Sequence, residues 1–428
     1  MSLHSNQSFW TKTAVSYQVP EQLTESISAD VTIIGAGITG LRTALELASV
    51  NINVVVIDSH EPGWGASGRT GGQVNPLAHT VPEKVIKQLG DTFGPRMLES
   101  YVNSGYELFN LIKKHNIQCD AVQNGWIRGA HSQSSVKDLE EMQKGWAGYG
   151  LDISFIEGKK LHNLIGSTAY DVATNVASGG CIQPLSYSRE LARVAVAKGA
   201  QIFGNSAVKS VSSKGKEWQV ITEKGSITSQ WVVFCTNGYT DDTLKGLKQT
   251  IIPLVSVQAV TRPLTKSEYA SILPNGHTLA DTRRVIYYSR KDNHDRLLFG
   301  SLGMSEHCNG SDKKRLHAGL KTVFPQLTPD DLESYWGGRL AFTEDLLPHI
   351  HEPAPGILAG LGYNGRGVAM STVMGRILSE RIIGKKPEDL AIPTTKFKSF
   401  SFHRFHKIGV YSAIKAYEMR DAFDIRFR

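Results

Sequence analysis

The apolar positions near the N-terminus form two short runs separated by a longer, helix-like stretch. The first run covers 31–34, the stretch covers 41–48, and the second run covers 54–57 and ends at Asp58. Short continuous runs of β-branched residues are typical of strands buried on both faces, whereas the longer stretch has the length of a helix. The pattern therefore predicts a βαβ unit.

The pattern downstream indicates a hairpin and then an antiparallel sheet. Two alternating segments, 218–222 and 226–231, flank a turn at Lys224 and Gly225 and are followed by a buried strand at 232–235. Between residues 253 and 300 the apolar and polar positions alternate again, as is typical of antiparallel strands. The alternating segments there are 255–261, 285–289 and 296–300.

This order of elements predicts an α/β (α+β) protein in which one domain interrupts another. A mixed sheet comes first, an antiparallel sheet lies in the middle, and a glycine-rich strand and helix follow near 356–381. The nucleotide-binding domain is predicted over 29–88, 148–244 and 340–394. The second domain is predicted over 89–147 and 245–339, and a basic amphipathic C-terminal segment over 395–428.

Length and composition narrow the class of protein. A chain of 428 residues is long enough for two cores. Its four cysteines show no C-x-x-C pairing, so we expect neither a metal site nor a disulfide framework, and a cytoplasmic location. No secretory pattern and no apolar run of about 20 residues is present. Much of the net charge of +7 lies in the C-terminal segment, and we expect no nucleic-acid partner.

The first glycines carry the chemistry of the βαβ unit. Gly35, Gly37 and Gly40 form G-x-G-x-x-G between the first strand and the helix. Gly35 permits the turn, Gly37 lets a pyrophosphate approach the backbone, and Gly40 lets the helix pack close to the strand. Asp58 is placed to accept hydrogen bonds from a ribose. The motif predicts a dinucleotide site, but it does not distinguish NAD from FAD.

A second glycine-rich stretch at 63–73 favours FAD. Five glycines make it a poor helix or strand, and it suits the surface of a flat ring and a diphosphate. Ser67 and Arg69 supply a hydrogen-bond donor and a positive charge. The alternative interpretation of this stretch is a flexible loop.

At this stretch the chain resembles the D-amino-acid-oxidase-like superfamily of FAD enzymes, and the resemblance runs through nearly the whole sequence. It implies an FAD-binding Rossmann-like domain of the glutathione-reductase type, interleaved with an antiparallel-sheet substrate domain. Within the superfamily the chain is similar to the bacterial branch of γ-glutamylputrescine oxidoreductase and L-pipecolate oxidase. The implied FAD contacts are Gly35, Gly37, Ile38, Thr39, Gly40, Asp58, Ser67, Gly68, Arg69, Gly71, Gly72, Gln73, Val208, Thr236, Asn237, Gly238, Gly362, Asn364, Gly365, Arg366 and Gly367.

Three residues are predicted to act on the substrate. Gly362 to Gly367 open an apolar helix at 368–378, whose dipole suits the negative charge of a reduced flavin, and Arg366 is the fixed charge there. Gln258 and Tyr288 lie on the strands expected to form the floor and wall of the pocket. His79 and His349 follow FAD-binding segments and are further residues that could reach the flavin.

The sequence also departs from its relatives. Ala369 and Leu340 stand where sarcosine-oxidase-like and glycine-oxidase-like members carry a cation for the substrate carboxylate, and Arg339 comes one residue early. Leu298 replaces a lysine that activates oxygen. Gln73 stands where some relatives attach flavin through histidine, so we expect non-covalent FAD.

The resemblance implies oxidation of a C–N bond in a small amine or amino acid, pipecolate-like or γ-glutamyl-polyamine-like, with electrons passing to oxygen or a quinone. A flavin-dependent hydroxylase, an NAD-dependent dehydrogenase and a non-catalytic FAD-binding subunit are the alternatives. For 396–428, where basic and aromatic residues alternate, two interpretations stay open. The segment packs on the protein's own body, or it lies on an anionic membrane at the inner face.

Overall fold

The computed structural model describes residues 8–426. Its helices are α1 Ile38–Ala48, α2 Pro82–His115, α3 Gln133–Gly148, α4 Gly158–Ile165, α5 Pro184–Ala197, α6 Lys266–Ser271, α7 Gly310–Val323, α8 Gly367–Ile383 and α9 His406–Arg426. The first strands are β1 Ser26–Ile34, β2 Val54–Ile57, β3 Gln73–Val74, β4 Trp126–Gly129, β5 Ile153–Glu157, β6 Val172–Val176, β7 Gly180–Cys181, β8 Gln201–Phe203, β9 Ser210–Lys214 and β10 Glu217–Ile221. The remaining strands are β11 Ser226–Phe234, β12 Ile252–Thr261, β13 Thr278–Asp281, β14 Tyr287–Lys291, β15 Leu297–Gly303, β16 Leu332–Phe342, β17 His349–Ala354, β18 Ile357–Leu361 and β19 Thr394–Thr395.

A nine-stranded mixed sheet carries the nucleotide-binding elements. Its main path runs β19-β17-β18-β11-β1-β2-β8, and β1 pairs in parallel with both β2 and β11. All four residues of β2 are buried, because α1 and α8 pack on one another over the sheet. The apolar runs of the sequence therefore correspond to strands covered on both faces, as parallel strands usually are.

An eight-stranded sheet forms the second layer of the molecule. Its order is β16-β12-β15-β14-β13-β4-β6-β5, and it is antiparallel except where β13 pairs with β4. Its own apolar cluster includes Phe299 of β15, Leu320 of α7 and Phe324, which follows α7. The alternating pattern between residues 253 and 300 thus predicted the right kind of sheet.

The predicted hairpin is confirmed, and one domain boundary differs from the prediction. Trp218 pairs with Ser229 across the hairpin, but 226–234 form one long strand rather than two. Strands β5 and β6 belong to the eight-stranded sheet, although the prediction placed 148–244 in the nucleotide-binding domain. Alternation over five residues does not show which sheet a strand joins, because both sheets contain antiparallel pairs.

The C-terminal segment ends in the long helix α9, and residues 427–428 lie outside the described part. Ile414 is only 4% exposed and faces the protein, while Ile408, Tyr411 and Met419 are exposed. The helix therefore carries apolar residues both toward the protein and toward solvent. Within residues 8–426, no helix combines the length and the hydropathy that crossing a membrane requires.

Candidate FAD and substrate site

One large cavity of about 1250 Å³ runs between the two sheets. Ile34, Ile57 and Phe234, which are the last residues of β1, β2 and β11, all line it. Gln258 and Tyr288 line it from the eight-stranded sheet. The cavity thus begins at the carboxyl ends of the parallel strands, where open α/β sheets bind nucleotides, and it extends to the second sheet.

The glycine turn after β1 has the geometry of a phosphate-binding loop. Gly35 has φ +110°, a conformation that favours glycine. A β-carbon on Gly37 would lie 2.8 Å from Oγ of Ser67, and that oxygen accepts a 3.0 Å hydrogen bond from the amide of Ile38. The N-terminus of α1 therefore faces the loop at 63–73. The space between them is open because Gly37 has no side chain.

Asp58 lies at the end of β2 beside this turn. Its carboxylate accepts hydrogen bonds from the amide of Ala36 at 2.7 Å and from the amide of His60 at 2.9 Å. Burial raises the pKa of Asp58 to about 6, although these hydrogen bonds act in the opposite direction. The carboxylate lines the cavity and has the position expected of a ribose acceptor.

The loop at 63–73 is ordered by its own polar groups. The guanidinium of Arg69 donates to the carbonyl oxygen of Trp64 at 2.8 Å and stacks on its ring. The amide of Gln73 donates to the carbonyl oxygens of Leu279 and Ser289, which fixes the loop to the eight-stranded sheet. These bonds anchor the loop at 63–73 to its own backbone and to the eight-stranded sheet, so the structure does not support the alternative of a flexible loop.

The turn before α8 closes the cavity from the other side. The amide of Gly362 donates to Oδ1 of Asn237 at 3.0 Å, and the side chain of Asn364 accepts from the amide of Thr343 at 2.8 Å. Asn364 has φ +52°, which asparagine tolerates better than most residues. These bonds hold the N-terminus of α8 at the cavity wall, where its dipole favours negative charge.

The predicted residues divide into two groups. Most line the cavity: Gly35, Gly37, Ile38, Thr39, Asp58, Ser67, Arg69, Gly71, Gln73, Val208, Thr236, Asn237, Gln258, Tyr288, Asn364, Gly365, Arg366 and Gly367. Five glycines do not: Gly40, Gly68, Gly72, Gly238 and Gly362. A β-carbon on any of the five would approach a neighbouring atom within 2.9 Å, so they permit close packing behind the lining. Val208 lies between β8 and β9.

Gln258, Gly300 and Tyr288 lie side by side in the eight-stranded sheet. Gly300 pairs with Gln258 on β12 and with Tyr288 on β14, and a β-carbon on Gly300 would lie 2.1 Å from the tyrosine ring. The hydroxyl of Tyr288 shares a 2.7 Å hydrogen bond with Ser256, and burial raises its pKa. The side chain of Gln258 is buried beside the hydroxyl of Tyr288, whose pKa it lowers, but neither of its amide atoms makes a hydrogen bond of normal geometry. This suits a group that meets a bound molecule.

Two neighbouring arginines that form no ion pair within residues 8–426, Arg128 and Arg366, line the cavity. Arg366, at the N-terminus of α8, is buried and its guanidinium lies 4.8 Å from the ring of Trp126. Burial and the neighbouring Arg128 lower its pKa. Within residues 8–426, neither arginine forms an ion pair, and both have a buried Nε without a hydrogen-bond partner. Unpaired buried charge of this kind favours an anionic ligand.

His79 lies beside these arginines and lines the cavity. Its Nε2 is hydrogen-bonded to the carbonyl oxygen of Asn364, so this nitrogen carries the proton in the neutral ring. Burial and then Arg366 lower the pKa of His79 to about 3. The ring therefore stays neutral near pH 7, and Nδ1 is left as an acceptor.

The residues at which the sequence departs from its relatives are either buried or held in ion pairs. Ala369 and Leu298 are fully buried, and Leu298 lies in an apolar cluster with Trp336. Arg339 lines the cavity, but its charge is paired with Glu306 at 2.6 Å. His349 does not line the cavity and pairs with Asp345.

Sequence reasoning missed several residues of the cavity. Arg128 lies on the four-residue strand β4, far from every motif, where no local pattern marks it. Residues of α9 also line the cavity, whereas the sequence indicated only that the segment packs on the protein's own body or lies on a membrane.

The fold and the site place the chain among FAD-dependent oxidoreductases. Residues 30–381 match the family described as DAO, FAD dependent oxidoreductase, and the chain belongs to this family. It therefore binds FAD, and the cavity has the glycine cradle and the ribose acceptor that this cofactor needs. A probable oxidoreductase OrdL of Haemophilus influenzae is 33% identical over 86% of each chain. Gamma-glutamylputrescine oxidoreductase of Escherichia coli is 30% identical over 90% of each chain.

Solved structures share the fold. L-amino acid deaminase from Proteus myxofaciens in complex with anthranilate aligns with a TM-score of 0.72 at 18% identity, over 90% of this chain and 95% of that one. L-proline dehydrogenase from P. horikoshii aligns with a TM-score of 0.72 at 20% identity, over 85% and 95% of the two chains. The predicted fold class, with its FAD-binding domain and substrate sheet, is thus confirmed.

Proposed function

We propose that this protein oxidises a C–N bond in a small amine or amino acid to an imine. The observation that carries the proposal is the single cavity, which joins the FAD-binding loops to a substrate wall containing Gln258, Arg128 and Arg366. The flavin, when bound, accepts the two electrons of the oxidation. The protein supplies orientation, exclusion of water and fixed charge.

Each wall residue has a separate role in this proposal. The unpaired guanidinium of Arg366 attracts a carboxylate of the substrate. The buried amide of Gln258 and the neutral Nδ1 of His79 offer hydrogen bonds to an uncharged amine. The surrounding cationic groups disfavour an ammonium ion and so favour the neutral amine that the reaction needs. A pipecolate-like amino acid and a γ-glutamyl-polyamine-like amine both carry the required amine and carboxylate.

We further propose that FAD is bound non-covalently. Gln73 uses its amide to bind two carbonyl oxygens and offers no nucleophile to the flavin. Trichloroacetic acid precipitation should release the yellow colour into the supernatant, and colour retained in the pellet would contradict this assignment.

The electron acceptor is proposed to be a quinone rather than oxygen. Leu298 is apolar and fully buried where oxygen-activating relatives carry lysine, so that strand offers no charge to stabilise reduced oxygen. Peroxide formation should be slow in air, with faster turnover on quinones. Fast stoichiometric peroxide production would contradict this part of the proposal.

We propose peripheral contact with an anionic membrane through the C-terminal segment. Phe402 is 79% exposed, and Ile408, Tyr411 and Met419 form an exposed apolar strip near Lys407 and Lys415. Such a strip can enter the interface while lysines meet anionic lipid. Sedimentation with phosphatidylglycerol vesicles at low salt should recover the protein, and replacement of the three strip residues by serine should abolish recovery. Equal recovery of both proteins would contradict the contact.

The central proposal is tested by flavin bleaching without oxygen. The yellow protein is mixed with pipecolate, other amino acids, amines and γ-glutamyl-polyamines, and absorbance near 450 nm is followed. Bleaching by at least one amine, with formation of the imine product, supports the proposal. A flavin that none of them reduces, although dithionite does, would contradict it.

A further inference from the structure

The cavity wall formed by the eight-stranded sheet changes from polar to apolar along its strands. On β12, the alternate residues Gln258, Ser256 and Leu254 all line the cavity. Ser256 lies opposite Leu302 of β15, which also lines it. Leu254 lies opposite Leu340 of β16, a further lining residue. Because residues two apart on a strand are separated by about 7 Å, the polar end and the apolar end of this wall are about 14 Å apart.

Helix α9 crosses the apolar end of this wall. Just before the helix, Nε2 of His403 is hydrogen-bonded to the carbonyl oxygen of Ile251 at 3.0 Å, and Ile251 immediately precedes β12. Near the other end of the helix, the buried carboxylate of Asp421 accepts a 3.0 Å hydrogen bond from the amide of Val285, two residues before β14. The helix therefore runs from the start of β12 to the start of β14.

The acidic residues of α9 anchor it to the sheet between these two ends. Glu418 pairs with Arg315 at 2.7 Å, and the guanidinium of Arg315 donates to the carbonyl oxygen of Leu302 at 2.9 Å. Asp424 pairs with Arg284 at 2.7 Å. These ion pairs hold the helix close to Leu302 and neutralise the charge on both arginines.

The side of α9 that faces the cavity is apolar where it is covered. Ile414 is buried, and Val410 and Ala413 are half-buried, whereas Tyr417 and Arg420 are exposed at the rim. The helix and the sheet together enclose a region that we call the outer apolar subsite. Its walls are Leu254, Ile286, Leu302, Leu340, Ala413 and Ile414.

We propose that the outer apolar subsite binds an aliphatic chain of the amine substrate. This rests on the proposed function, which places the amine at Gln258, and it deepens that function by naming the chemistry of the rest of the molecule. The subsite is continuous with the wall that carries Gln258, so a chain that extends from the amine along β12 enters it. Buried hydrocarbon is stabilised there, whereas a terminal ammonium ion or hydroxyl would lose water without gaining a partner.

Helix α9 is therefore a specificity element that the shared part of the fold does not supply. The family match ends at residue 381, whereas α9 begins at His406. Without the helix, the apolar end of the sheet wall would face solvent, and an aliphatic chain would gain little from lying on it.

Ligand binding without turnover tests the subsite. The FAD-loaded enzyme is titrated calorimetrically with propanoate, pentanoate and heptanoate, which carry no amine to oxidise. We expect heptanoate to bind at least about tenfold more tightly than propanoate, because each buried CH₂ group strengthens binding up to about fourfold. The compound 6-hydroxyhexanoate has the chain length of heptanoate but ends in a hydroxyl, and it should lose most of this gain.

Two variants on opposite sides of the subsite locate the gain. Ala413→Trp fills the space beneath α9, and Leu302→Asn places a polar amide on the sheet side. Each should reduce the preference for heptanoate to less than about threefold, while propanoate affinity changes by less than about twofold. Ala416→Trp adds the same ring at an exposed position of α9 that does not line the cavity, and it should keep the full preference.

The outcomes separate the subsite from the oxidation. If no amine bleaches the flavin but both variants lose the preference for heptanoate, the proposed function fails and the subsite stands. If the wild type binds heptanoate no better than propanoate or 6-hydroxyhexanoate, or if both variants keep the preference, the subsite is wrong. If a short-chain quinone binds there and the alkanoates gain nothing from their length, the occupant is the electron acceptor and the proposal is overturned.

Discussion

At the scale of single residues, Asp58 links the cofactor site to pH. Its pKa is raised to about 6 by burial, and we propose that FAD binding uses the ionised carboxylate as ribose acceptor. Above pH 6 the free protein already carries this form. Below pH 6 it must lose a proton to bind, so FAD affinity should fall by up to about tenfold for each pH unit until the pKa of the complex is reached.

Fluorescence titration of the apoprotein with FAD from pH 7.5 to pH 5 measures this dependence. Asp58→Asn should bind FAD more weakly at pH 7.5 and should show a flat profile, because its amide does not titrate. An equally steep decline in the variant would assign the pH dependence to another group.

Gly37 provides the second residue-scale prediction. Gly37→Val places side-chain atoms against Ser67, where the backbone must approach the pyrophosphate. The variant should purify colourless but folded, with FAD affinity reduced more than about 100-fold. Gly310→Val has open space around its β-carbon and serves as the control. Stoichiometric flavin in Gly37→Val would show that this turn does not hold the pyrophosphate.

Arg366 is expected to act on the reaction rather than on the fold. It makes no ion pair within residues 8–426, so Arg366→Gln removes buried positive charge without leaving an acid unpaired. Anaerobic flavin reduction by a carboxylate-bearing amine should slow by about 100-fold, while the melting temperature changes little. Unchanged reduction kinetics would remove Arg366 from the substrate site.

At the scale of elements, the pairing register of β12, β15 and β14 sets which side chains lie next to one another on the cavity wall. Gly300 lies between Gln258 and Tyr288, so Gly300→Ala would force the tyrosine ring aside. We expect destabilisation of about 1–3 kcal/mol and altered substrate binding. Gly310→Ala, at an open helix N-terminus, is the matched control. Urea unfolding of the three proteins measures the difference, and equal midpoints would contradict the close packing of Tyr288.

The elements also show what the sequence could predict. Local patterns located β1, α1, β2 and the hairpin, because buried runs and glycine turns leave their signal within a few residues. They did not assign β5 and β6 to a sheet, since pairing partners are decided over long separations. They likewise missed Arg128, which only the fold brings beside Arg366 at the start of α8.

At the scale of the whole molecule, the loop at 63–73 joins the two sheets. Gly71 lines the cavity and lies against Tyr288, and Gln73 is bonded to both β13 and β14 through carbonyl oxygens. Gly40 and Gly68 pack closely behind the cavity lining, because a glycine motif records the needs of backbone packing as well as of ligand approach. The glycine spacing therefore predicted the cofactor correctly, and the direct contacts of each glycine stay a prediction.

Anaerobic reduction of the bound flavin is the most direct test of the account. Wild-type protein is mixed with carboxylate-bearing amines and with the same amines after conversion of the carboxylate to an amide. The account predicts rapid bleaching near 450 nm by at least one carboxylate-bearing amine, and at least about tenfold slower bleaching by its amide. A flavin that none of the amines reduces, or that both forms reduce equally, would contradict amine oxidation directed by Arg366.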